Sequence, residues 1–369
     1  MRKRSISFVL VAMLIGLMLA GCTQTASNDA DLTRVGMVTD SGTIDDKSFN
    51  QGTWEGVKAY ESDKGTITTT YQQPDNEAET DYLNAIADLV DTNYEIIVTP
   101  GFKFETAIYQ AQQQYPDTTF ILIDGTPNDG NWESEDGPDF LVGPNTVSVY
   151  FHEEEAGFLV GIAAALSSET GKVGFIGGME IPPVQKFGWG YQAGVQYAND
   201  HFGTNTEITE YVYEGSFVNI SGGQQIASGM YDSGIDIIFH AAGGVGVGIF
   251  SEAIERATGG EDVFVIGVDI DQYEEGLLSE DSDRSVTLTS AMKALDVAAY
   301  DYIDAKLNGT FPGGEEIRLS LADNGVGIPD ENPNLSEDTL ARIEEAKQAI
   351  LNGEVVVPAT QEDLDAFLK

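Results

Sequence analysis

Apolar residues in this chain fall into short continuous runs that alternate with stretches of three- to four-residue spacing. Arg34–Thr39 is an apolar run, and Asn50–Ser62 then carries helix-like spacing. Thr66–Tyr71 is β-branched, and Thr80–Thr92 repeats Tyr82, Leu83, Ile86, Leu89 and Val90 on one helical face. Glu95–Thr99 reads as a buried strand closed by Pro100-Gly101, Phe104–Tyr115 as a helix, and Phe120–Asp124 as another buried strand. Strands alternating with helices of this length predict a parallel α/β sheet.

The pattern restarts further on. Glu154–Ser167 reads as an apolar, Gly/Ala-rich helix, Lys172–Gly177 as a strand, Phe187–His201 as a helix and Glu207–Tyr213 as a strand. Ser221–Ser233, Asp236–Phe239, Val247–Ala257 and Val263–Val268 continue the alternation as helix, strand, helix and strand. A helix over Ser290–Leu307, a strand near Ile317–Leu321 and a helix over Ser336–Leu351 complete the chain. The fold class is therefore α/β, with two Rossmann-like halves divided near residue 150 and a cleft expected between them. A length of 369 residues fits two such lobes.

The first residues follow other rules. Arg2, Lys3 and Arg4 precede an apolar stretch that runs to Ala20 and ends in Leu19-Ala20-Gly21-Cys22. A basic start, a short apolar core and small residues before a break describe a secretion signal over 1–21 rather than a spanning helix. The alternative is an uncleaved apolar helix with an incidental thiol. Residues 22–32 are small and polar and read as a flexible tether. Cys22 is the only cysteine, so the chain can form neither an internal disulfide nor a thiolate metal cluster.

Charge narrows the partners. There are 61 Asp and Glu against 18 Lys and Arg, a formal net charge of −43. Nucleic-acid affinity comes largely from cations on phosphates, so a nucleic-acid partner is excluded, and adsorption to anionic lipid is disfavoured. Such acidity suits a surface exposed to a salty or alkaline medium and says nothing of a ligand.

In open parallel sheets ligands bind beyond the carboxyl ends of strands. Asp40, Asp124 and Asp269 each follow an apolar run there; each alone is equally a solvated loop carboxylate or a helix cap. Lys293 stands in Leu288-Thr-Ser-Ala-Met-Lys-Ala-Leu, an almost apolar stretch read as a helix start. It is either a cleft donor that partly balances Asp269 or a structural ion-pair lysine. Phe49, in the polar segment after the first strand, and Phe187, in a Pro/Gly-rich loop, are stacking walls or local packing. Gly243-Gly-Val-Gly-Val-Gly248 lacks the spacing of a phosphate loop and fits a tight strand-to-helix turn with backbone amides near a ligand. The acidic stretch Asp124–Asp139 fails calcium-loop spacing and reads as a solvated loop. The three histidines share no metal spacing, no nucleophile elbow is present, and no cofactor is expected.

Several motifs carry a resemblance. Val35-Gly-Met-Val-Thr-Asp-Ser-Gly-Thr-Ile-Asp-Asp-Lys-Ser-Phe-Asn-Gln51 resembles the opening of the basic-membrane-protein family, substrate-binding lipoproteins of ABC transporters of the purine-nucleoside-receptor type. The likeness continues through Gly177–Phe187, Phe239–Gly246, Gly267–Gln272 and Leu288–Lys293. Leu19-Ala-Gly-Cys22 resembles a lipobox, in which Cys22 becomes the lipidated N-terminus and anchors a monomer to the outer face of the cell membrane.

The resemblance implies a type I periplasmic-binding-protein fold with three crossings between lobes. The expected N-terminal lobe is 33–150 plus about 270–312, and the C-terminal lobe is 151–269 plus about 313–369. It also implies that Asp40, Phe49, Asp124, Phe187, Asp269 and Lys293 contact a nucleoside, with Ser48, Asn50, Gly243 and Gly244 beside them. A purine nucleoside (inosine, guanosine or adenosine) would then be handed to ABC permease subunits. The departures from the family are the expanded acidic segment Asp129–Asp139 and the extreme charge. Other readings are a binding protein for another small polar solute such as a sugar, a surface adhesin or antigen, and a nucleoside-cleaving enzyme.

Overall fold

A computed structural model describes residues 32–279 and 281–369. The leader, Cys22 and the tether up to residue 31 lie outside the described residues. No helix among the described residues is long and apolar enough to cross a membrane.

The first lobe opens with β1 (Thr33–Val38), α1 (Phe49–Lys64), β2 (Ile67–Gln72), α2 (Glu79–Asp91) and β3 (Ile96–Pro100). It continues with α3 (Glu105–Gln114), β4 (Thr119–Ile123) and β5 (Thr146–Phe151). The chain then crosses into the second lobe through α4 (Glu153–Ser167), β6 (Lys172–Gly177), α5 (Pro182–Phe202), β7 (Glu207–Tyr213) and α6 (Ile220–Asp232). There it adds β8 (Ile237–Ala241), α7 (Val245–Thr258), β9 (Phe264–Asp269) and β10 (Thr287–Lys293). It returns with α8 (Leu295–Leu307) and β11 (Glu316–Leu319), then ends in the second lobe with β12 (Val326–Gly327), α9 (Glu337–Leu351) and α10 (Gln361–Phe367).

The two sheets share one design. Their strand orders are β2-β1-β3-β4-β5-β11 and β7-β6-β8-β9-β10-β12, parallel throughout except for the short antiparallel β12. Side chains alternate across each strand. In β3, Ile96 and Val98 join the core that runs on under α4 and α5, whereas Ile97 packs with Tyr82, Leu89 and Ile108 under α2 and α3. A third core fills the space between the second sheet and α6 with α7, around Met230, Ile238, Val265 and Ile249. Burial on both faces explains why the strands read as continuous apolar runs.

Three readings change. Thr146–Phe151 is a strand that the sequence reading did not assign. Ser290–Lys293 belongs to β10, not to a helix: Ser290–Met292 pair with Gly267–Asp269 of β9 and Lys293 with Val326 of β12, and the helix begins only at Leu295. Sheet membership therefore moves the expected lobe boundaries at 270 and 312. Residues 287–293 pair within the second sheet, and 316–319 pair with β5 of the first. The crossings lie at 151–153, 293–295 and 319–326.

Candidate functional site

The carboxyl ends of both sheets line one cavity of about 640 Å³, measured out to its mouth. Asp40, Phe49, Asn50, Asp124, Phe187, Gly243, Gly244, Asp269 and Lys293 all line it. Ser48 is not in the wall but reaches across the lobes, and its hydroxyl donates to Asp269 Oδ2 at 2.5 Å.

Local structure sets each of these groups. Ser48 stands at the N-cap of α1, yet its side chain makes no cap bond. Asp46 does that work instead. Its carboxylate accepts the N–H groups of Ser48, Asn50 and Gln51, each at 3.0 Å. An anion at a helix N-terminus satisfies donors that would otherwise be orphaned, and Ser48 is left free for the other lobe. Asn50 Nδ2 bridges Asp40 Oδ1 at 2.9 Å and Asp46 Oδ2 at 2.8 Å, fixing Asp40 at the cavity wall.

Phe49 is the first residue of α1. Phe187 lies inside α5 rather than in a loop, because Pro182 and Pro183 open that helix instead of breaking it. Phe187 is 2% exposed and touches Phe239 edge-on, so it both packs and lines the cavity. Gly243 has φ of 56°, the left-handed turn by which β8 swings into α7, and Gly244 caps that helix.

Lys293 is the hub. It ends β10 and is 2% exposed. Its ammonium donates to Asp124 Oδ2 and lies 3.0 Å from Glu153 Oε1. It also sits 5.2 Å from the Phe49 ring centroid, 5.0 Å from Phe151 and 5.9 Å from Phe187. Burial pulls the ammonium down, but Asp124, Glu153 and Asp269 together outweigh it and hold Lys293 above its ordinary value. Burial pushes the Asp124 carboxyl up to about 7 against the pull of Lys293. It lifts Asp269 to about 6 against Lys293 and the Ser48 hydroxyl. Burial also raises Asp40, opposed by the Gly42 amide and Asn50.

Asp124 keeps one buried oxygen, Oδ1, without a hydrogen-bond partner among the described residues. An unpaired buried acceptor is costly, so it marks a place where a donor belongs. Lys186 Nζ, 3.3 Å from Glu153 Oε2, is the second ammonium of the cluster. Asp124, Glu153 and Asp269 thus surround Lys293, with Lys186 meeting Glu153 alone among them, and a further anion would be poorly received.

Glu153, Asp46 and Phe217, which lines the cavity beside Gly243, were not singled out from sequence. Glu153 was hidden because the strand that ends just before it went unread. Asp46 was one acid in a crowd. The stretch Asp129–Asp139 is pinned by an antiparallel bridge between Asn128 and Phe140, and none of its residues lines the cavity.

Residues 33–361 match the family model described as "ABC transporter substrate-binding protein PnrA-like". The chain is 37% identical to the "CD4+ T-cell-stimulating antigen" of Listeria monocytogenes, over 97% of this chain and 99% of that one. It is 31% identical to the "ABC transporter nucleoside-binding protein BmpA" of Lactococcus lactis, over 97% of this chain and all of that one. Among solved structures, an ABC transporter solute-binding protein from Aeropyrum pernix superposes with a TM-score of 0.75 at 27% identity, covering 91% of this chain and 98% of that one. Two mostly parallel α/β lobes around a lined cavity, and likeness along nearly the whole described length, lead to one conclusion: the chain belongs to the PnrA-like family of ABC transporter substrate-binding proteins, which carry a small molecule to a permease and are not enzymes.

Proposed function

We propose that this protein binds purine nucleosides, namely inosine, guanosine or adenosine, in the cavity between its lobes and delivers them to its permease. The observation that carries this reading is the hub at Lys293, where carboxylates of both lobes and one ammonium converge beneath Phe49 and Phe187. Vicinal ribose hydroxyls donate to carboxylates and accept from an ammonium. Asp269, Asp124 and Lys293 supply both kinds of partner, with the free Asp124 oxygen as one acceptor. Phe49 and Phe187, from opposite lobes, offer flat walls for a purine, and Asp40 with Asn50 offers polar partners for its edge. Amides of the Gly243–Gly244 turn lie beside them.

A neutral ligand suits a cluster in which carboxylates outnumber ammonium groups, and a phosphate does not. The name of the Lactococcus relative points the same way. Contacts made to both lobes at once favour the closed state, which is how binding reports itself to a permease. Mass spectrometry of small molecules retained by the purified protein tests the reading. A purine nucleoside, recovered intact after incubation, is expected; a sugar or another solute in its place overturns it.

Membrane attachment through a lipid on Cys22, of a monomer facing outward, completes the proposal. Two or more acyl chains make a stable anchor where one is marginal. The Cys22→Ser chain should leave the membrane fraction, and an unchanged detergent-dependent membrane pool would contradict the anchor.

A further inference from the structure

The lobes also meet outside the cavity, at Gln272. This residue is 2% exposed and held by its own lobe on every side. Its backbone N–H donates to Ser290 Oγ at 3.1 Å, and its carbonyl accepts from Thr287 Oγ1 at 2.8 Å. Its side-chain oxygen accepts the Val268 N–H at 2.8 Å. That bond fixes the amide and aims Nε2 across the gap, where it donates to the Lys47 carbonyl at 2.7 Å.

Lys47 is an unusual target. Its φ is 62°, a left-handed conformation that a residue with a side chain keeps only when its surroundings demand it. It directly precedes Ser48, which bonds Asp269, and Phe49, which lines the cavity. Its ammonium lies 3.2 Å from Glu275, but both groups are partly open to solvent, so that pair is a weak clamp. The buried amide of Gln272 is the stronger one.

We propose that Gln272 is a positioning residue of the binding site: it grips the strained Lys47 backbone from the opposite lobe and thereby sets Ser48 and Phe49 in place on closure. Gln272 does not line the cavity. Its effect on affinity rests on the nucleoside reading; its effect on the 46–52 segment does not.

Gln272→Glu tests this in the full-length chain. The substitution keeps an oxygen for the Val268 N–H and, when ionised, has no hydrogen for Lys47; a carboxyl kept neutral by burial would still donate one, so Gln272→Met, which cannot donate, is measured beside it. Inosine affinity should fall about three- to tenfold, the range of one lost hydrogen bond. Without any ligand, amides of residues 46–52 should exchange hydrogen faster than in the parent, with strands β6 and β8 unchanged. In a Lys47→Gly background, glycine adopts the left-handed conformation without support. There Gln272→Glu should cost less than half as much in affinity, a coupling that a general loss of stability would not produce. Unchanged exchange at 46–52, or equal cost in both backgrounds, overturns the proposal. Should Gln272→Glu not fold, Gln272→Met carries the same readouts. If the parent binds no nucleoside, the nucleoside reading falls, and the exchange experiment still decides the role of Gln272.

Discussion

Asp124 and Asp269 occupy the same place in the two lobes. Each stands at the carboxyl end of the fourth strand in its sheet order, β4 and β9, and each is left-handed, with φ of 57° and 67°. Aspartate tolerates this conformation better than most residues. In both lobes it turns the chain at the mouth of the sheet; Asp124 accepts from the Lys293 ammonium, Asp269 accepts from Ser48, and the charge of each acts on Lys293. The matching end of the neighbouring strand is Phe151 in the first lobe and Lys293 in the second. The fold thus repeats a backbone design and varies its side chains to make one mixed acceptor and donor set.

Asp269→Ala should weaken nucleoside binding far more than Asp129→Ala. The first removes a buried carboxylate that also holds Ser48; the second removes one of many charges outside the cavity. Losing hydrogen bonds to a charged partner costs about 1.5–3 kcal/mol, roughly 10- to 150-fold in affinity. Calorimetric titration of the two variants checks this, and equal affinities would remove Asp269 from the site.

Stability should carry a pH signature of the same residue. Burial raises the Asp269 carboxyl to about 6, while an unfolded aspartate titrates near about 3.9. A group raised in the folded state adds stability below its unfolded pKa and loses it as pH rises through the folded value. Asparagine at 269 cannot titrate. The unfolding free energy of the parent minus that of Asp269→Asn should therefore drop by about 2–3 kcal/mol between about pH 4 and pH 7. Urea unfolding across that range measures it, and a flat difference would contradict the buried charge cluster.

Phe49→Leu and Phe187→Leu keep apolar bulk and remove the extended ring. An aromatic contact adds about 0.5–1.5 kcal/mol beyond its area, so inosine affinity should fall several-fold to about tenfold. Free ribose, which does not stack, should lose little. If the rings only pack their helices, both variants will melt earlier while the preference of inosine over ribose stays the same.

The Asp40, Asp124 and Asp269 positions were visible because each follows a buried apolar run, whose end is easy to locate. Lys293 was visible as a cation in apolar company, although its element was misread. Thr287–Lys293 runs into α8 without a Gly or Pro between them, and Ala291, Met292 and Ala294 suit a helix as well as a buried strand. Periodicity cannot separate the two. The two prolines before Phe187 suggest a loop up to that residue, although at the first turn of a helix they start the element. The cross-lobe partners, Ser48 with Asp269 and Lys47 with Gln272, are 221 and 225 residues apart in sequence. No local pattern joins such residues; only the pairing of two sheets does.

We propose that the cavity selects a neutral nucleoside through ribose contacts, two aromatic walls and an excess of carboxylates. Titration calorimetry of the purified protein with inosine, ribose and inosine monophosphate under one set of conditions tests it most directly. Inosine should bind one to one, ribose much more weakly for want of a base, and the monophosphate weakly or not at all, because its phosphate meets the carboxylates around Lys293. Ribose binding as tightly as inosine, or monophosphate binding more tightly, would contradict it.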